Sequence, residues 1–293
     1  MQDTTFRCMG TDVRLLVDGP RGTLHRERAF IEGFGRRLSR FEPGSELCAL
    51  NADPRDAVPA SRLLRSAVAA GLWAAEHSGG MVDPTLTGAV ERAGYCSSRE
   101  GVASAPLREA LDTAPPRRSA APHRAAAWRS VSVDDAAGVI RRPPGLRLDT
   151  GGTGKGLCAD AVAHRLGACE RFVVDCGGDM ALRGEWDVAV EHPLTREHAH
   201  TLRLDGGGVA TSGLNVRVWR RADGTCAHHL IDPSTGEPAW TGLVGATAVA
   251  GSALEAETLS KLALLSGPEG ARRVLAGGGG VLFHDDGAVE VVA

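Results

Sequence analysis

The sequence predicts an α+β fold, one large domain over residues 1–293, because its strand-like and helix-like stretches are grouped rather than strictly alternating. Short β-branched and apolar runs crowd the second half, at 171–175, 186–190, 201–204, 216–219 and 246–250. Few stretches carry the apolar spacing of a long helix, and no segment repeats at a fixed period.

Taken in order, residues 4–18 read as one strand, closed by Asp18-Gly19-Pro20. Over 24–38 the apolar residues Phe30, Ile31, Phe34 and Leu38 fall on one helical side. A polar-tipped loop follows at 40–51. Ser61 is placed to cap a helix running to Ser78, with Leu64, Val68, Leu72 and Ala75 on its apolar face. Residues 97–130 are rich in Ala, Pro and Arg and read as a variable surface segment, helical around 105–111. Strand-like residues resume at 131–133 and 138–140. Near the end, helices are expected over 254–265 and 269–275, then a hairpin around Asp285-Asp286-Gly287.

Composition narrows the function. Hydrophobic residues make up 43% and charged residues 24% of 293, values of an ordinary globular protein with enough chain for a sizeable core. A formal charge of −3 with no basic stripe gives no nucleic-acid footprint, and 4% aromatics leave little for base stacking. No apolar run approaches a membrane span, and the first residues lack a signal-peptide core. Seven cysteines without C-x-x-C spacing argue against a zinc knuckle or a disulfide framework, so a cytoplasmic protein is expected.

Chemistry concentrates in loops. The run Leu148-Asp-Thr-Gly-Gly-Thr-Gly-Lys155-Gly-Leu-Cys-Ala-Asp160 puts one lysine among four glycines, and Ala159, Val162, Ala163 and Leu166 continue it as a helix. Such a loop aims backbone N–H groups and the positive end of a helix dipole at an anion, and Lys155 adds a point charge suited to phosphate. It is not a P-loop: Gly156 follows the lysine where Ser or Thr is required, and Asp149 stands where the first glycine belongs. Four more clusters combine glycine with polar groups: Met9-Gly-Thr11, 174–180 with Gly177-Gly178-Asp179, Ala210-Thr-Ser-Gly213, and His228-His-Leu-Ile-Asp232-Pro-Ser-Thr-Gly236. Singly, each is ordinary turn chemistry.

Their joint order, with residues 45–51, Val82-Asp-Pro-Thr85 and a late Ala/Glu-rich helix, resembles the FAD:protein FMN transferase (flavin-trafficking, ApbE-like) family from Phe6 to about Gly267. The resemblance implies a T-fold-related α+β domain with a central FAD cleft. It also implies cleavage of the FAD pyrophosphate, usually with Mg²⁺, and attachment of FMN by a phosphoester to a Thr or Ser of an acceptor flavoprotein, releasing AMP. By that resemblance Lys155, Gly151, Gly152 and Asp160 belong to the diphosphate loop. Met9, Ser45, Asn51 and Asp83 would lie along the flavin and adenosine, with Thr211, Ser212 and Gly213 beside the diphosphate. His229 would be general base for the acceptor hydroxyl, and Asp232 would orient His229 or its loop.

One motif departs from the family. The metal-holding helix should carry Asp and, four residues later, Thr, beside a loop carbonyl that falls here at Gly154; Glu257 and Lys261 stand instead. A protonated lysine cannot ligate a cation. Either the two form a plain i,i+4 pair on a decayed metal site, worth roughly 0.2–0.5 kcal/mol, or the Lys261 ammonium acts as counter-charge to the diphosphate. A third reading shifts the register so that the nearby Thr258 is the expected Thr, against the helical phase. Mg²⁺ is therefore in doubt. Altered chemistry on FAD or another nucleotide diphosphate, and a non-catalytic flavin-binding module, stand as alternatives.

Overall fold

Met9 and Gly10 both take positive φ, 52° and 71°, the requirement of a two-residue type I′ turn. The stretch expected as one strand over 4–18 is therefore a hairpin, β1 (Gln2–Cys8) and β2 (Thr11–Val17), with Cys8 opposite Thr11. The computed structural model describes residues 1–293 throughout.

After the hairpin the chain leaves the sheet for a long excursion. Helix α1 (Thr23–Leu38) buries Ile31, Phe34 and Leu38, the stripe its sequence spacing predicts. Ser45 caps α2 (Glu46–Ala52) and Ser61 caps α3 (Arg62–His77), each accepting the N–H three residues on. Strand β3 (Ala57–Pro59) later joins β4 (Ser132–Asp134) and β5 (Val139–Arg141) in a small sheet of order β3-β5-β4. Between them lie α4 (Thr87–Arg92), α5 (Leu107–Asp112) and a 3₁₀ turn at Ala127–Ser130. The chain returns through α6 (Gly154–Arg165) to β6 (Phe172–Cys176) beside β2.

The β6–β7 turn repeats the first device, with Gly177 and Gly178 both at positive φ. Here β7 (Asp179–Glu191) and β8 (His198–Gly213) form a long ribbon that absorbs the shorter strands expected at 186–190 and 201–204. Glycines at positive φ (184, 206 and 207) sit where its register shifts, between Leu182 and Glu185. The Ala-Thr-Ser-Gly cluster is not a loop: Thr211 and Ser212 lie in β8, paired with Thr247 and Ala246 of β13 (Leu243–Ala250). Two short hairpins intervene, β9 (Val218–Arg220) with β10 (Cys226–His228), and β11 (Ile231–Asp232) with β12 (Glu237–Pro238). The two expected late helices are present, run together as α7 (Ala253–Leu275) and separated by the non-helical Gly267 (φ 70°, ψ 175°) ahead of Pro268. Strands β14 (Gly280–His284) and β15 (Val289–Val292) close the chain as the expected hairpin.

The eight-stranded sheet has the order β1-β2-β6-β7-β8-β13-β14-β15, every neighbour antiparallel. Its strands thus follow one another in chain order, and helices and small hairpins are insertions between them. One core joins β1, β2 and β6 to α1, α3 and α6; a second joins β13 and β14 to α5 and α7. The α+β expectation holds. No helix is long and apolar enough to cross a membrane.

Candidate active site

Where the insertions meet the ends of the central strands they enclose a cavity of about 960 Å³, at the upper end of the range for small-molecule sites (about 300–1,000 Å³). Met9 and Gly177 reach it from the two glycine turns, Asp83 and the 149–154 loop from the excursion, and Thr211–Gly213 from β8. His229 enters from between β10 and β11, and Lys155 and Lys261 from α6 and α7. The long insertions thus converge Lys155 and His229, 74 residues apart in sequence, on one space.

The deepest polar cluster lies where α6 meets α7. Gly156 has no side chain because a Cβ there would stand 2.6 Å from the Ala253 carbonyl oxygen. That close approach lets each helix cap the other. Asp160 on α6 accepts the N–H groups of Ala253 and Leu254 at 2.8 and 2.9 Å, and Glu257 on α7 accepts the Gly156 N–H at 2.8 Å. The Lys155 ammonium ion-pairs with Asp179, fixed by the β6–β7 turn, and lies 3.9 Å from Glu257 Oε1. Lys261 Nζ donates to the same Oε1 at 2.9 Å. Burial works to lower the Lys155 pKa, but Asp179 and Glu257 outweigh it and hold the group above the usual lysine range. Burial, with Asp179, raises Glu257.

These residues do not fit the divalent cation that the sequence resemblance implies. Both Glu257 oxygens are engaged, one by an ammonium and one by a backbone N–H. The Thr258 hydroxyl is turned onto the Leu254 carbonyl at 2.8 Å. No group of three or more His, Cys, Asp or Glu side chains converges to hold a metal ion. Lys261 stands where a hydroxyl ligand is needed, so Gly154 and Glu257 do not assemble a metal site.

His229 is held well below the ordinary histidine range, first by burial and then by the positive charges of Arg217, Lys261 and Lys155. It is therefore a neutral imidazole at neutral pH, not a group poised near 6.5. Its buried Nδ1 has no partner, so Asp232 does not orient the ring directly. The Asp232 carboxylate instead accepts from Ala121 N, Ser234 N and Ser234 Oγ, shaping the loop. His228, fully buried against Trp240, is structural.

Several other expected residues stand behind the cavity wall. Ser45 caps α2 and donates to the Ser39 carbonyl. Asn51 holds both the N–H and the carbonyl of Leu148 at 2.8 Å, pinning the start of the lysine loop. Asp160 serves as a helix cap. Met9, Asp83, Gly151, Gly152, Gly154, Thr211, Ser212 and Gly213 line the space directly. Sequence reasoning missed Asp179 as the partner of Lys155, although its diglycine turn was visible. It also missed Arg40, which pairs with Asp149 at 3.1 Å and lies over the rings of Phe41 and Tyr95, and Arg217. Neither arginine sits in a recognisable local pattern.

The sequence profile of the ApbE family matches residues 9–282. A protein of Treponema pallidum named FAD:protein FMN transferase is 31% identical over 252 residues, covering 79% of this chain and 68% of its own. A protein of the same name from Escherichia coli K12 is 34% identical over 142 residues, 45% of this chain and 40% of its own length. The chain thus spans only about two fifths of the enterobacterial relatives it matches. Two solved structures resemble it along nearly their whole lengths. An ApbE protein of Thermotoga maritima has TM-score 0.81 and 25% identity, covering 99% of this chain and 96% of that one. The flavinyl transferase ApbE of Pseudomonas stutzeri has TM-score 0.78 and 24% identity, covering 99% and 94%. With a match running nearly end to end, and with the lysine loop, glycine turns and histidine loop closing on one cavity, the chain belongs to the ApbE family.

Proposed function

We propose that this protein is an FAD:protein FMN transferase, using FAD as donor and a Ser or Thr hydroxyl of an acceptor flavoprotein as nucleophile. The observation that carries the reading is the single cavity shared by the Lys155 loop, at the N-terminus of α6, and His229. The acceptor oxygen attacks the phosphorus on the riboflavin side of the pyrophosphate. A new P–O bond forms as the P–O bond to AMP breaks, and the hydroxyl proton passes to His229. Lys155, at the start of α6, neutralises charge on the departing phosphate, positioning and charge compensation being most of what phosphoryl transfer requires. A neutral imidazole has the free lone pair this step needs, and an arriving dianion raises its basicity by opposing the surrounding cations. Asp232 contributes by shaping the loop that carries His229. All seven thiols are unpaired, which supports a reducing, cytoplasmic setting as part of this proposal.

The test is incubation of the purified protein with FAD and an acceptor domain carrying an exposed Ser or Thr. Free AMP and a flavin that stays with the acceptor on a denaturing gel are expected in equal amounts. AMP without covalent flavin would reassign the reaction to hydrolysis; neither product would remove the transferase reading.

A further inference from the structure

We infer that Lys261 stands in for a divalent cation and joins Lys155 in a two-ammonium clamp on the substrate diphosphate, so that donor binding is independent of metal. The inference rests on the proposed use of FAD. Both ammonium nitrogens lie within 3.9 Å of one carboxylate oxygen, Glu257 Oε1. Both lysines line the cavity, whereas Glu257 and Asp179 do not. The carboxylates, 0% and 1% exposed in their side chains, form a layer behind the lysines. They aim both ammoniums and favour the charged form of Lys155, while the cavity meets the cationic ends. This is not the solvated i,i+4 pair that sequence spacing allows, because Glu257 is fully buried and tied at its other oxygen to the N-terminus of α6.

Lys261 adds one positive charge to that of Lys155 at the cavity wall, and each ammonium brings donors for non-bridging phosphate oxygens. They suit a diphosphate because two separate helices, α6 and α7, hold them. Arg217 lines the same cavity with its guanidinium over the Tyr95 ring and no carboxylate paired with it, a third cation available to the ligand.

Equilibrium binding of FAD and of ADP, read by flavin fluorescence and by competition, tests the clamp in EDTA and in Mg²⁺. The wild-type protein should bind both equally well in the two buffers. Lys261→Met should weaken both by about tenfold or more, the size of one lost charge contact in a partly buried site, and Lys261→Arg should recover much of that loss. Glu257→Gln/Lys261→Met leaves no uncompensated buried charge, so it keeps the test open where the single variant fails to fold; the same weakening is expected. Glu257→Asp/Lys261→Thr, which supplies a carboxylate and a hydroxyl, should bind FAD more tightly in Mg²⁺ than in EDTA. Wild-type binding that needs Mg²⁺, or loss of Lys261 without effect on either ligand, overturns the clamp while leaving the transferase reading intact. Failure of the wild type to bind FAD in either buffer overturns both.

Discussion

His229 shows how surroundings set the role of a single side chain. In water an imidazole titrates near 6.5; here burial and three neighbouring cations push it well below that value. The free protein therefore carries no charge on His229 across the neutral range. His229→Ala is expected to lower the rate of covalent flavin formation by about 10²–10⁴-fold, the usual worth of a positioned base, with little change in the Kd for FAD. A parallel loss of FAD affinity would show that the ring acts in binding instead. Lys155 belongs to the opposite class. Lys155→Met should weaken FAD and ADP by about tenfold or more but leave riboflavin, which has no phosphate, unaffected; equal weakening of all three ligands would point to collapse of the cavity.

The junction of α6 with α7 is the element on which the site depends. Asp160 and Glu257 cap each other's helices, and Gly156 permits the approach. A methyl group at 156 has nowhere to go except against the backbone of Ala253, so Gly156→Ala should destabilise the fold by about 1–3 kcal/mol. It should also displace Lys155, read as lower midpoints in urea together with weaker FAD binding. Asp160→Ala should cost about 1–2 kcal/mol, in the range of a lost N-cap, though Asp160 touches no part of the cavity lining. Unchanged stability in Asp160→Ala would mean that water replaces the cap. The sequence reading placed Asp160 with the diphosphate loop by motif; only the packing of two helices shows which backbone it serves.

Across the whole molecule, the eight strands follow one another in chain order while 154 residues pass between β2 and β6. The sheet can thus be laid down from hairpins, with the insertions left to build the cavity. The same burial that assembles the site imposes an acid limit. His228 is depressed to about 3 and His229 lies well below 6.5, both chiefly through burial. Each binds a proton more readily in the unfolded chain, so its contribution is full above pH 6.5. It is lost as pH falls toward the folded pKa, at roughly 1.4 kcal/mol per pH unit per histidine. Thermal midpoints should fall steadily below pH 6.5, and His228→Phe should flatten that slope. An unchanged slope in the variant would assign the acid sensitivity to other groups.

The Gly177-Gly178 turn and the Ser61 cap were legible because their causes are local, whereas the Met9-Gly10 turn lay hidden inside what read as one strand. Gly177-Gly178 permits the positive φ of a tight turn, Ser61 supplies the oxygen a helix N-terminus lacks, and the apolar stripe of α1 follows from 3.6 residues per turn. By itself the sequence therefore determined the α+β class, most helix boundaries and the clustering of chemistry in a few loops, including Lys155 and His229. What it could not carry were contacts between distant segments. Asp179 behind Lys155, Glu257 turned onto Gly156, Arg217 over the Tyr95 ring and the depressed histidine all arise from residues made neighbours by the sheet and by α6 meeting α7. Charge and hydration depend on those distances and on burial, which no run of residues specifies, so the tertiary structure alone decided that two lysines face the cavity and two carboxylates stand behind them.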